Sequence, residues 1–272
     1  MLANVLLHNC LFYVVMDTQR KEYRTVVISD VHLGTKYSKV TQVCNFLSSL
    51  DCQRLILNGD TIDGWQLRKN GYSLWGPEQS RFFRIILKMI ENRATQVYIL
   101  RGNHDDFLDR VIPMNMGNLE ILKDMIIETG GKKYFVTHGD VFDSVTSNMR
   151  WVAKLGDVAY NILLKINTMY NRIMVSCGRP YYSFSQALKD KVKKAVANAS
   201  DFDAMLTDMA KVKGCDGVIC GHIHRPEDRV INGIHYLNSG DWVETCSALL
   251  EDMRGNWSVY RYAEDSAGSV II

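Results

Sequence analysis

A short apolar segment that ends in two polar residues constrains this chain most. Residues 26–28 are three consecutive β-branched residues, a pattern typical of a buried strand. Asp30 and His32 follow, two residues apart. Because alternate residues of an extended chain point to the same face, we predict that this carboxylate and this imidazole project side by side. Taken alone, the pair is equally consistent with a turn or a surface ion pair.

The same arrangement recurs along the chain. Seven further apolar segments predict strands: Arg54–Leu57, Val97–Leu100, Tyr134–Thr137, Gly217–Cys220, Ile234–Leu237, Ser247–Leu250 and Trp257–Tyr262. The first four of them lead into turns rich in Gly, Asp, Asn or His. Val40–Leu50, before the first of these segments, and Ser80–Glu91, before the second, carry apolar residues at helical spacing. Alternating strands and helices predict an α/β fold with a sheet and flanking helices.

The ends of these strands collect side chains that can bind metal ions. The candidates are Asp30, His32, Asp60, Asn103, His138, His222 and His224. A mixture of carboxylate, imidazole and amide oxygen suits Mn²⁺, Fe or Zn²⁺ better than Mg²⁺ or Ca²⁺. Seven candidates exceed the needs of one catalytic ion and match two ions that share a bridging carboxylate.

The motifs that carry these residues resemble the five-motif signature of the calcineurin-like metallophosphoesterases. They read Asp30-Val31-His32, Gly59-Asp60-Thr61-Ile62-Asp63, Gly102-Asn103-His104-Asp105, His138-Gly139-Asp140 and Gly221-His222-Ile223-His224. The resemblance implies a sandwich of two mixed β-sheets flanked by helices, and attack on phosphorus by a hydroxide that bridges two metals. It also implies the ligand sets, with Asp60 as the shared ligand: Asp30, His32, Asp60 and His224 for one ion, and Asp60, Asn103, His138 and His222 for the other.

Two residues of these motifs are candidates for catalysis without being ligands. His104 follows Asn103 directly and is predicted to face the scissile bond, where it would protonate the leaving oxygen or stabilise charge. Asp63 is the natural carboxylate to orient His104. The alternative is that Asp63 caps a helix.

Residues outside the ligands suggest a subgroup. Trp65 after the second motif, Arg225-Pro226 after the fifth, and Gly240-Asp241-Trp242 are similar to features of the UDP-2,3-diacylglucosamine pyrophosphatases of lipid A synthesis. Those enzymes release UMP and 2,3-diacylglucosamine 1-phosphate, usually with Mn²⁺. Their best-known branch carries Arg at the position of His104, so a different phosphoester is the alternative substrate. The candidate substrate-binding residues are Arg101, Arg179, Arg225 and Trp65.

The chain divides by character into an N-terminal extension (1–22), a core (23–143 and 214–264) and a helical insertion (144–213). In the insertion, Trp151–Val175 is amphipathic and Lys189–Lys194 is basic, so these segments could hold acyl chains and anionic headgroups at a membrane surface. The alternative is a helix stripe buried on the core and a solvated basic face. A last helix is predicted over Asp201–Val212, with Asp201 as its N-cap.

Composition limits the other classes of function. A net charge of +2 makes no case for a nucleic-acid partner, which disfavours a nuclease. Because every ligand position is filled, a non-catalytic scaffold is also disfavoured. Seven scattered cysteines without a C-x-x-C pair suit a reducing compartment, and Met1–Met16 lacks the basic start of a signal peptide. We therefore expect a cytoplasmic protein, with peripheral contact at the inner membrane as a further hypothesis.

Overall fold

The computed structural model describes residues 20–71, 73–142, 199–262 and 270–271. Within these ranges the chain forms two mixed β-sheets with helices on their outer faces. The predicted α/β class and the two-sheet sandwich are confirmed. Met1–Met16, Trp151–Val175, Arg179 and Lys189–Lys194 lie outside the described residues.

The larger sheet contains eight strands in the described part of the chain. In spatial order they are β13 (Val270–Ile271), β12 (Trp257–Arg261), β11 (Ser247–Glu251), β1 (Lys21–Ile28), β2 (Leu50–Asn58), β3 (Gln96–Leu100), β5 (Leu119–Leu122) and β4 (Met114–Asn115). Strands β1, β2, β3 and β5 are parallel, so their carboxyl ends share one edge of the sheet. Strand β11 runs antiparallel to β1.

The smaller sheet contains five of the described strands. In spatial order they are β6 (Asp124–Thr129), β7 (Lys132–Thr137), β8 (Gly217–Cys220), β10 (Ile234–Asn238) and β9 (Glu227–Ile231). Its three central strands are parallel, and β6 and β9 flank them in the antiparallel direction. Strand β7 was predicted as Tyr134–Thr137, but its hairpin partner β6 was not, although Gly130 and Gly131 have the positive φ values of a two-residue hairpin turn.

The described helices are α1 (Val40–Ser48), α2 (Gly64–Asn70), α3 (Pro77–Arg93) and α4 (Ala199–Val212), with 3₁₀ turns at Asp106–Arg110 and Asp140–Phe142. Helix α1 ends before the predicted Leu50 because that residue begins β2. Helix α4 already includes Ala199, so the predicted N-cap at Asp201 is wrong. No helix in the described ranges is both long and apolar enough to cross a bilayer.

Alternating side chains join these layers into one core. In β1, Val26 and Ile28 pack toward α1 and α3, whereas Val27 packs between the two sheets. Phe202 and Leu206 of α4 cover the outer face of the smaller sheet. The order of layers is therefore helix, large sheet, small sheet, helix, and the carboxyl ends of the parallel strands carry the loops described next.

Candidate active site

The loop after β1 brings Asp30 and His32 into the site in an unexpected way. Strand β1 ends at Ile28, and the two residues have φ values of 52° and 50°. The side chains do lie together, with His32 Nε2 3.8 Å from Asp30 Oδ1. The predicted extended-chain alternation is wrong, because both residues adopt the left-handed conformation after the strand has ended.

Left-handed backbone is shared by most of the candidate ligands. Three more of them have positive φ values: Asp60 (51°), His222 (68°) and His224 (55°). This conformation is uncommon for residues with a Cβ and persists where the surrounding structure holds it. Such residues concentrate at functional sites. Here the strain marks the loops that supply the candidate ligands.

Two glycines let these loops approach one another closely. A Cβ at Gly59, whose φ is +81°, would overlap the His138 imidazole. A Cβ at Gly102 would overlap the Asp60 carboxylate. The glycines of the second and third motifs therefore leave room for the functional side chains of neighbouring motifs.

Backbone amides fix one oxygen of each central carboxylate. The His222 N–H donates to Asp30 Oδ2 at 3.0 Å, and the His104 N–H donates to Asp60 Oδ1 at 2.8 Å. Because these bonds hold the far oxygens, Asp30 Oδ1 and Asp60 Oδ2 are left to face the imidazoles. The orientation of both carboxylates is thus set by loops from other strands.

The imidazoles converge on those two oxygens. His224 Nε2 lies 3.1 Å from Asp30 Oδ1, and His32 Nε2 lies 3.8 Å from both Asp30 Oδ1 and Asp60 Oδ2. His32 therefore stands between the two carboxylates. The predicted division of the ligands into two sets that meet at Asp60 stays a prediction.

On the other side of Asp60, His138 is held by the backbone. Its Nδ1 donates to the Asn58 carbonyl oxygen at 2.9 Å, and its Nε2 lies 3.4 Å from Asp60 Oδ2. A hydrogen bond at one ring nitrogen fixes the tautomer and leaves the other as a ligand atom. His138 is therefore oriented as a metal-binding histidine would be.

The donor set fits divalent cations. Asp30, His32 and His224 form one group whose ligand atoms lie within 4.8 Å of one another, and Asp60, His138 and His222 form a second. Asp30 Oδ1, Asn103 Oδ1 and His138 Nε2 are buried without the geometry of a hydrogen bond to any described residue. Buried polar atoms without partners are rare, and bound metal ions would supply partners for these three. Asn103 lines the cleft over the cluster, and its place among the ligands stays a prediction.

Charge in the cluster favours the ligating state of the carboxylates. Burial alone would raise the pKa of Asp30, but the nearby imidazoles of His138, His224 and His32 hold it below its ordinary value. For His138, burial alone would lower the pKa, but Asp60 and Asp30 raise it to about 10. Against the same effect of burial, the imidazoles of His138 and His32 hold the pKa of Asp60 below its ordinary value. Asp30 and Asp60 therefore stay ionised, which is the form that binds a cation.

His104 stands beside this cluster with Asp63 as its carboxylate partner. His104 Nδ1 lies 3.0 Å from Asp63 Oδ2, while Asp63 Oδ1 accepts the Gln66 N–H at 2.8 Å and caps α2. Asp63 therefore contacts His104 and caps α2 at once, and its part in orienting His104 for catalysis stays a prediction. Burial lowers the pKa of His104, but Asp63 and Asp60 raise it above its ordinary value. Trp65, at the start of α2, stacks on the His104 ring with centroids 4.2 Å apart.

The predicted substrate-binding arginines lie farther out. Arg101 forms ion pairs with Asp109 and Asp140. Arg225 is exposed and pairs with Glu227 at 2.6 Å. These contacts tie Arg101 to the loop after β7 and leave Arg225 at the surface.

A cleft of about 860 Å³ opens over the cluster. Its floor contains candidate ligands together with His104, and its walls combine polar and apolar side chains. The wall residues are Thr35, Lys36, Tyr37, Gln66, Asn70, Leu74, Ile223 and Val243. The cleft can therefore hold a molecule larger than a phosphate group beside the buried charges.

Two buried aspartates support the site in ways the sequence reasoning did not assign. Asp105 accepts the Thr61 and Gly102 N–H groups, and burial with the nearby Asp60 charge raises its pKa to about 6. Asp241 Oδ2 lies 3.9 Å from His224 Nδ1. Both belong to motifs already noted, but only the folded loops reveal what they support.

Comparison with known proteins agrees with this geometry. The sequence model of the calcineurin-like phosphoesterase family matches residues 23–226, most of the chain. The UDP-2,3-diacylglucosamine hydrolase of Stenotrophomonas maltophilia is 27% identical over 267 residues, which cover 89% of this chain and 99% of that protein. The enzyme of the same name from Blochmanniella pennsylvanica is 24% identical over 73% of this chain and 78% of its own.

Among solved structures, a Vps29 variant from Entamoeba histolytica aligns with a TM-score of 0.45 and 14% identity. The alignment covers 91% of this chain and 97% of that one.

Proposed function

The chain belongs to the calcineurin-like phosphoesterase family of metal-dependent phosphoester hydrolases, and we propose that its substrate is UDP-2,3-diacylglucosamine. The products would be UMP and 2,3-diacylglucosamine 1-phosphate. The observation that carries the proposal is the convergence of strand-end motifs on one cluster, with two groups of ligand atoms beside His104 and a cleft lined by residues of four motifs. The substrate itself is supported by the names of relatives that align over most of this chain.

We propose that two divalent ions, preferably Mn²⁺ with Fe or Zn²⁺ as alternatives, occupy the cluster. When bound, they would neutralise phosphoryl charge and lower the pKa of a water between them. The residues proposed to hold them are Asp30, His32, Asp60 and His224 for one ion, and Asp60, Asn103, His138 and His222 for the other. The buried atoms without hydrogen bonds support this assignment.

His104 is proposed to protonate the leaving oxygen. Its Nδ1 faces Asp63, so the other ring nitrogen, Nε2, is the atom available to donate to substrate. Asp63 would hold the ring in that orientation and favour the protonated form. Because Asp63 also caps α2, the orientation is anchored to a helix rather than to a loop alone.

The cleft has the mixed chemistry that a nucleotide lipid requires. Lys36 at the mouth is exposed and offers a positive charge to a phosphate, while Leu74, Ile223 and Val243 provide apolar wall. We retain Arg225 as a proposed contact for the diphosphate, since its side chain is 61% exposed. The roles of residues 144–213 as a cap for acyl chains, peripheral membrane contact and a cytoplasmic location are proposals of the same kind.

Hydrolysis of UDP-2,3-diacylglucosamine by metal-stripped protein resupplied with Mn²⁺ tests the proposal. We expect UMP to be released only with the metal and not by the Asp60→Ala variant. If metal-dependent turnover is confined to simple aryl phosphodiesters, the phosphoesterase assignment stands and the lipid substrate is wrong. The alternative, another phosphoester, would then be sought among substrates with smaller apolar groups.

A further inference from the structure

We infer that Trp65 is a positioning residue that holds the His104 imidazole in its working orientation, rather than a residue that binds substrate. The inference rests on the proposed function, because it concerns the group that protonates the leaving oxygen. It comes from the first turn of α2, where three consecutive residues contact His104 in three different ways. No comparison with a relative assigns this part to Trp65.

The first two contacts fix the main chain and one edge of the ring. The Gly64 N–H donates to the His104 carbonyl oxygen at 2.9 Å. A Cβ at Gly64 would lie 2.9 Å from the same oxygen, so only glycine allows this approach without a shift. Asp63 Oδ2 meets the Nδ1 edge of the ring at 3.0 Å.

The third contact fixes the face of the ring. The Trp65 indole and the His104 imidazole have centroids 4.2 Å apart and planes inclined by 32°. The His32 ring meets the imidazole edge-on, with centroids 4.7 Å apart at 90°. The His104 ring therefore contacts two aromatic neighbours, and Asp63 alone would still allow it to tilt.

Exposure argues against a core role for this tryptophan. Trp65 is 47% exposed and is absent from the described hydrophobic clusters, so core packing does not explain its position. It is also not among the residues that line the cleft, where a substrate-binding aromatic residue would be placed. Among the described residues, Trp65 makes its aromatic ring contact with His104. This contact accounts for the position of the indole.

A double-mutant cycle between Trp65 and His104 tests the inference. The substrates are aryl esters of UMP, one with a 4-nitrophenyl group that leaves unaided and one with a phenyl group that needs a proton. We expect Trp65→Leu to lower kcat for the phenyl ester about tenfold with little change in KM, and to lower it less than twofold for the 4-nitrophenyl ester. In a His104→Ala background, Trp65→Leu should have no further effect.

Conservative replacement and a matched control complete the test. Trp65→Phe retains an aromatic face and should restore kcat to within about twofold of the wild type. Phe107→Leu, at a position 39% exposed on the neighbouring 3₁₀ turn, should leave both esters unaffected. The inference is overturned if Trp65→Leu acts equally on both esters, acts equally with and without His104, or raises KM alone. Failure of the proposed substrate would look different, because the wild-type protein would then hydrolyse the aryl esters but release no UMP from UDP-2,3-diacylglucosamine.

Discussion

Buried carboxylates at the two ends of strand β1 have different kinds of partner. Beyond its carboxyl end, Asp30 faces imidazoles from distant loops, and one of its oxygens lacks a hydrogen bond. Toward its amino end, Glu251 of β11 accepts the Thr129 hydroxyl and lies 3.6 Å from Arg24 Nη1. Arg24 is a permanent cation of the chain, whereas an imidazole can release its proton and bind a metal instead. The contacts of Glu251 therefore join the two sheets, whereas those of Asp30 suit metal binding.

If this contrast is correct, the largest effect on activity comes from Asp60. Replacing Asp60 with Asn keeps an acceptor for the His104 N–H but removes the charge proposed to be shared by two ions. We expect Asp60→Asn to lower kcat/KM more than about 10³-fold, beyond the roughly 10–100-fold effect of residues that only support a ligand. Steady-state hydrolysis with Mn²⁺ measures it.

The same variant separates activity from stability. Added Mn²⁺ should raise the Tm of the stripped wild-type protein by several degrees, because a ligand at about 100 times its Kd adds about 2.7 kcal/mol. It should raise the Tm of Asp60→Asn much less. Asp208→Asn, whose side chain is 70% exposed on α4, is the matched control and should behave as the wild type. An Asp60→Asn protein with full activity would contradict the proposed site.

The next effect in size belongs to His104. His104→Ala removes the proposed proton donor without removing a ligand, so we expect kcat to fall about 10²-fold while the Mn²⁺-induced rise in Tm is kept. His235→Ala is a suitable control, since His235 lies in β10 and contacts Tyr134 and Asp228. Loss of metal stabilisation in His104→Ala would mean that His104 acts as a ligand.

A smaller effect is expected in the pH dependence of Asp63→Asn. The Asp63 charge helps to raise the pKa of His104, and a general acid works only while it is protonated. Activity is therefore lost as pH rises through that pKa, and removing the charge should move this alkaline limb down by about 1 pH unit. A profile of kcat against pH for both proteins measures the shift. An unchanged limb, or a shift to higher pH, would contradict the pairing.

The smallest effect on activity is expected at the other end of β1. Glu251→Gln removes the buried charge opposite Arg24 and should lower the free energy of unfolding by about 1–2 kcal/mol, with kcat within about twofold of the wild type. Denaturant unfolding and steady-state kinetics measure the two quantities. Glu128→Gln, whose side chain is 70% exposed on the adjacent β6, should change neither. A large loss of activity in Glu251→Gln would contradict the purely structural role assigned to Glu251.

Much of this architecture could be predicted because apolar segments and functional motifs alternate in the sequence. The strands that precede Asp30, Asp60, Asn103, His138 and His222 were all predicted from apolar runs, and the folded chain brings these residues together. Position directly after a strand indicated that these residues lie at one edge of the fold, and the family resemblance supplied the ligand sets. Neither was enough to predict how the side chains are held.

Several features follow only from the folded loops. The left-handed conformation of Asp30 and His32 carries no local signal in the sequence, because neither residue is glycine and the strain is held by contacts from other motifs. Arg101 could not be separated from a phosphate-binding arginine, since Asp109 and Asp140 approach it only in three dimensions. The contact of Trp65 with His104 was hidden for the same reason.

The hydrogen bond from His222 to Asp30 also fixes when this site can first exist. The two residues are separated by 192 positions in sequence, and the bond joins loops of different sheets. At a synthesis rate of about 5–20 residues per second, Asp30 is made roughly 10–40 s before its partner. During that interval no folding intermediate can hold both halves of the proposed metal cluster. The complete proposed cluster therefore forms only after His222 has been made, and metal uptake would report that the two sheets have docked.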